Sequence, residues 1–154
     1  MSRTALLAAA LMFGAALATA APAHADPCDD LAKQLAGQLP GVKVGKTVAN
    51  VIYLEHPAVK QAWLGCSGHN VRNELAAASL TRKPSKEFLG FVADAAAVIF
   101  TIPKDDSLRG VQRCAGRIGL LRGSNIDTRY RKLDIRCTRT SDTTRISVSR
   151  EKDQ

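Results

Sequence analysis

Within Gly65-Cys66-Ser67-Gly68-His69 the chain sets a thiol, a hydroxyl and an imidazole side by side, with a second imidazole upstream at His56. A serine nucleophile raised on a strand-to-helix elbow needs the spacing Gly-x-Ser-x-Gly, which holds the serine in a tight turn. Here the second glycine comes one place early, at Gly68, and position 69 is a histidine. No acidic partner is identifiable for a catalytic relay. A zinc site closes on four N, S or O ligands, or on three plus water. Cys66, His69 and His56 make a poor set, because an oxidising compartment competes for the thiol. The stretch therefore reads as a strand ending in a turn with Cys66 in a disulfide, and no catalytic, metal or cofactor residue is assigned. Glu55, Glu74 and Asp94 are the carboxylates closest to the expected core. General acid–base work needs two of them converging in one pocket, which spacing alone does not establish.

The four cysteines, Cys28, Cys66, Cys114 and Cys137, carry more information than the possible nucleophile. Met1–Ala25 has the form of a secretory signal: Arg3 in a short basic head, an apolar stretch from Ala5 to Ala18, and a small–x–small cleavage site at Ala23-His24-Ala25. An even cysteine count in an exported chain implies two disulfides with three possible connectivities. Chain order favours Cys28–Cys66 and Cys114–Cys137. Residues 1–25 are thus expected to be removed, leaving 26–154 as one exported domain in the periplasm or outside the cell.

Charge supplies the remaining chemical signal. The formal net charge is +8, and cleavage after Ala25 removes one arginine and no acid, leaving +7. From Lys104 onward there are 13 Lys+Arg against 7 Asp+Glu, so nearly all the excess lies in the last third. Arg109, Arg113 and Arg117 recur every four residues, a spacing that lines them along one helix face. Lys132 and Arg136 fall on the outward side of a predicted hairpin. Together these five are the candidate contacts for an anionic partner: envelope phosphates, cell-wall polymer or an acidic protein. Nucleic acid is disfavoured by export and by the lack of interleaved aromatics.

These groups must be positioned by a small fold organised around Phe88–Ile102. Wound as a helix, this run leaves only Gly90, Asp94, Ala97 and Thr101 on a narrow polar stripe, so it belongs in a core. It is also shorter than the ~20 residues that span a bilayer. Ser85 is the expected N-cap and Pro103 the stop. Pro27 opens a first helix with Cys28, Leu31, Ala32 and Leu35 inward. Val42–Leu54 reads as one strand, possible to bend at Gly45, followed by strands at Gln61–Ser67 and Val71–Ala77. Asp105 or Asp106 is expected to cap a third helix that runs to Gly123 with Leu108, Val111, Cys114, Ala115 and Ile118 inward. Leu133, Ile135 and Cys137, then Ile146 and Val148, alternate as a hairpin.

The expected architecture is α+β: an antiparallel sheet of about five strands, in the order α-β-β-β-α-α-β-β, packed by helices and held by two disulfides. The functional expectation is an exported, non-enzymatic domain that binds an anionic envelope component or an acidic protein. One alternative is an inhibitor or immunity-type protein that plugs an enzyme through a loop such as Gly65–Asn70. The other is a small envelope enzyme with a site drawn from residues such as Ser67, His69 or His56.

Overall fold

The computed structural model describes residues 27–66, 73–119 and 123–150. The elements run α1 (Pro27–Gln38), β1 (Lys43–Val48), β2 (Val51–Glu55), β3 (Val59–Gly65), β4 (Glu74–Ser79), α2 (Lys86–Phe100), α3 (Lys104–Arg117), β5 (Asn125–Tyr130), β6 (Leu133–Arg139) and β7 (Thr144–Arg150). The seven strands form one sheet in the order β1-β2-β3-β4-β7-β6-β5, and every pairing is antiparallel. Two meanders, β1–β4 and β5–β7, therefore meet along a β4–β7 seam, and α2 and α3 carry the chain from one to the other. The α+β class and both disulfides, Cys28–Cys66 and Cys114–Cys137, are as expected. Among the described residues no cysteine is free, and no helix is long and apolar enough to cross a membrane.

Strand count is the main correction: seven rather than about five. The expected single strand over Val42–Leu54 is a hairpin, turning at Ala49 and Asn50 with Ala49 at φ 51°. Asn50 does favour turns, but with Ala49 before it and no glycine or proline beside it, the β-branched residues on both sides hid the reversal. At Gly45 the structure has a register shift between Val44 and Thr47 instead of a simple bend. β5 was not anticipated, because its inward positions, Ile126 and Thr128, are too few and too polar to signal a strand. Its link to β6 is a two-residue turn at Arg131 and Lys132, both at positive φ, the geometry that suits the right-handed twist of a hairpin.

The helices follow from their caps. Ser85 accepts a hydrogen bond from the Phe88 amide at 3.1 Å and starts α2. The neighbouring Glu87 carboxyl is held below its ordinary value, first by its own backbone amide and then by Ser85. α3 begins two residues earlier than the expected aspartate cap, after Pro103, with no side-chain cap; Asp105 and Asp106 lie in its first turn, where the dipole favours negative charge. It ends at Arg117 with Ile118 extended, well short of Gly123. α2 ends at Thr101, whose φ of 52° and ψ of 56° are left-handed. A β-branched residue is strained there. Thr101→Gly is expected to raise the unfolding free energy by roughly 0.5–1 kcal/mol, the relieved strain less glycine's extra freedom in the unfolded chain. Equilibrium urea denaturation measures it, and an unchanged midpoint would contradict the strain.

Strand alternation sorts the sheet into two unlike faces. Ile52, Leu54, Ala62, Leu64, Leu75, Ala77, Ile146, Val148, Ile135 and Cys137 belong to the core, together with Leu35 of α1, Phe88, Val92 and Ile99 of α2, and Val111 and Cys114 of α3. α3 approaches closest at Gly110, where a β-carbon would lie 2.8 Å from Ile135 Cδ1. The opposite face carries no described helix. Across it runs one transverse row of paired residues, Tyr53, Trp63, Ala76, Ser147, Arg136 and Asp127.

Candidate functional site

The helix-free face is shaped by side-chain size. β4 contributes Ala76 and Ala78, and β7 contributes Ser147 and Ser149, all short. On one flank stands Trp63 of β3, on the other the longer side chains of β6 and β5. A trough results, made of two adjoining hollows of about 400 and 340 Å³ that share Glu74, Arg136 and Ser147. Asp127, Arg129, Asp134 and Ser149 line the first; Trp63, Thr138, Thr140, Thr143 and Arg145 line the second.

Ala76 and Ala78 are 1% and 6% exposed although they lie on the open side. The cover comes from Trp63 and Arg145, which pair across β4 from Ala76 and Ala78. The Arg145 guanidinium sits 5.2 Å from the Trp63 ring centroid, a cation–π arrangement that bridges over β4. Tyr53 is capped similarly by Lys46, at 5.4 Å.

Charge is organised just as unevenly. Arg136 Nε donates to Asp127 Oδ1 at 2.7 Å, as direct cross-strand neighbours. This bond, with the same carboxylate's charge, holds the Arg136 guanidinium above its ordinary value, and Glu74 adds a smaller push in the same direction. Arg129 and Asp134 are 3.9 Å apart. Arg145 has no carboxylate at ion-pair distance among the described residues; its neighbour is the indole. The trough thus offers one uncompensated guanidinium, one fixed guanidinium–carboxylate pair, hydroxyls and an aromatic wall. Its lining also holds the Glu74 and Asp134 carboxylates and the Arg129 guanidinium.

The five basic residues read from the sequence separate into three places. Arg136 lines the trough. Lys132 lies in the β5–β6 turn. Arg109, Arg113 and Arg117 are on α3, in the helical layer on the other side of the sheet. Arg109 donates to Asp106 and, from Nε at 3.3 Å, to the Tyr130 hydroxyl. That contact holds the Tyr130 phenol below its ordinary value, while Tyr130 first and Asp106 second raise that of Arg109. Arg113 is exposed and Arg117 half-buried.

Of the other sequence candidates, Glu55 and Glu74 are exposed, so neither belongs to the core, but Glu74 lines the trough. Asp94 is half-buried, with both carboxylate oxygens 2.8 Å from Lys104 Nζ. His56 stacks on Phe91 with centroids 4.7 Å apart, and its Nδ1 accepts from the Ala58 amide. That contact joins the β2–β3 turn to α2, a structural role. Ser67, Gly68 and His69 lie outside the described residues, as do residues 1–26 with the expected signal segment. Among the described residues no three His, Cys, Asp or Glu side chains gather as a metal site.

Sequence reasoning missed Trp63, Arg145, Ser147 and Ser149. The signal was present in part, since the outward partners of Ile146 and Val148 are Arg145, Ser147 and Ser149. The unread step was that β4 joins β7, which sets the alanines beside the serines. Set against models of protein families, curated proteins and solved structures, the chain matches none of them.

Proposed function

We propose that this chain is an exported, non-enzymatic binding domain that holds an anionic ligand of the cell envelope on the open face of its sheet. The observation that carries this reading is Arg145, exposed over a trough of short side chains and hydroxyls with no carboxylate partner among the described residues. Export is supported by the signal-like form of residues 1–25, by the two disulfides and by the lack of a membrane-crossing helix among the described residues. The anionic class is supported by the basic last third and by two arginines that line the trough, Arg136 and Arg145.

The test compares binding of the oxidised protein to an envelope fraction before and after substitution. A hydrogen bond to a charged group contributes about 1.5–3 kcal/mol, so Arg145→Gln is expected to weaken binding by roughly tenfold to a hundredfold. Affinity should also fall as salt is added, since exposed charges are screened. The triple replacement of Arg109, Arg113 and Arg117 by alanine is expected to leave binding unchanged. The reverse pattern, with the α3 arginines essential and Arg145 dispensable, would move the ligand to the helical layer and refute the trough as its seat.

A further inference from the structure

Resting on the anionic reading above, we infer that the trough recognises an acidic saccharide, a sugar carrying one carboxylate among many hydroxyls, and not a bare polyanion. The first ground is charge balance. Glu74, Asp127 and Asp134 share the lining with Arg129, Arg136 and Arg145. A polyphosphate or phospholipid surface laid along this trough would meet as many like charges as opposite ones. A sugar acid meets a cation at one point and hydrogen-bonding groups elsewhere.

The second ground is the Arg136–Asp127 pair. Both side chains are 64% exposed, yet they are bonded at 2.7 Å and pinned by β5–β6 register. A guanidinium donor held beside a carboxylate acceptor matches two adjacent ring hydroxyls, each of which can both donate and accept. Such a pair satisfies a diol without losing its own charge compensation.

The third ground is the opposite wall. Trp63 is half-buried, pairs across the sheet with Ala76 and lines the trough, so its indole offers an apolar strip along it. Hydroxylated rings have an apolar C–H face, and an aromatic wall facing a polar one matches that two-sided character. Arg145, at the indole and without a carboxylate partner among the described residues, is the seat for the sugar's carboxylate.

Calorimetry on the full chain, purified oxidised, tests this with four probes: galacturonate, maltotriose, tripolyphosphate and phosphatidylglycerol vesicles. Galacturonate is expected to bind tightest, with Arg145→Gln and Trp63→Leu each weakening it by about tenfold or more. Asp127→Ala decides between the ligand classes by sign. It removes both acceptor oxygens together with their charge, so a sugar held through its hydroxyls should bind more weakly, whereas a polyanion relieved of a like charge should bind more tightly. Tripolyphosphate or vesicles bound best, dependent on Arg145 and strengthened by Asp127→Ala, would overturn the saccharide inference and leave the anionic reading standing. Binding of every probe indifferent to Arg145 would overturn both. Circular dichroism of each variant confirms that the fold is retained.

Discussion

Replacing Cys114 and Cys137 together by alanine is expected to lower the unfolding free energy by about 3–5 kcal/mol. The bond closes a loop of 23 residues, and opening it gives the unfolded chain conformations that the cross-link had removed. Both cysteines are fully buried, at 0% exposure, so truncation also leaves a small void where α3 lies on β6. Equilibrium urea unfolding measures the change. The slope should steepen as well, because an uncross-linked chain exposes more surface when it unfolds. The Cys28–Cys66 bond closes a longer loop, 38 residues apart in sequence, but joins positions that are 6% and 8% exposed. Its removal trades a larger entropic loss for a smaller packing loss. A decrease below about 1 kcal/mol for the Cys114–Cys137 pair would mean the unfolded chain stays compact without it.

Phe88→Ala should cost about 3–5 kcal/mol. Phe88 is the largest fully buried side chain, 1% exposed, in the first turn of α2. α2 touches α1, α3, β4 and β7, so a void beneath it opens where several rigid elements meet and none can collapse into it alone. The substitution leaves the Ser85 cap in place, since the hydrogen bond runs to the Phe88 backbone amide. Loss of packing is therefore separated from loss of capping. Leu80→Ala is the control: at 58% exposure it should change stability by no more than about 0.5 kcal/mol. Urea midpoints for the two variants give the comparison, and similar values for both would place the core elsewhere than beneath α2.

What the residues disclosed in advance was whatever a local pattern can carry. The apolar arc of Phe88–Ile102, the cap at Ser85, the inward spacing of Cys28 with Leu35 and of Cys114 with Val111, and the Leu133–Cys137 alternation all depend on neighbours in sequence. Both disulfides followed, because each joins consecutive cysteines. Elements whose identity depends on partners far along the chain were not legible. The β1–β2 reversal at Ala49-Asn50 has no glycine or proline to announce it, and β5 shows its face only when paired with β6. The trough depends on the β4–β7 seam, which joins Ala76 to Ser147. No window of sequence contains both. For the same reason the arginine count drew attention to α3, whereas the uncompensated guanidinium of the open face, Arg145, sits among serines and hydrophobic residues that look unremarkable in order.

The seam also fixes when the molecule can exist. β7 follows every other described strand, yet it lies between β4 and β6 in the middle of the sheet. While a ribosome still holds residues 144–150, the two meanders have no common strand and their inner edges stay open. The trough then lacks Arg145, Ser147 and Ser149, one side of its floor and its free cation. Closure of the sheet and of the trough is therefore a single late step, after the central strand is released. Such a chain is kept open through its synthesis and closes only when that strand is free.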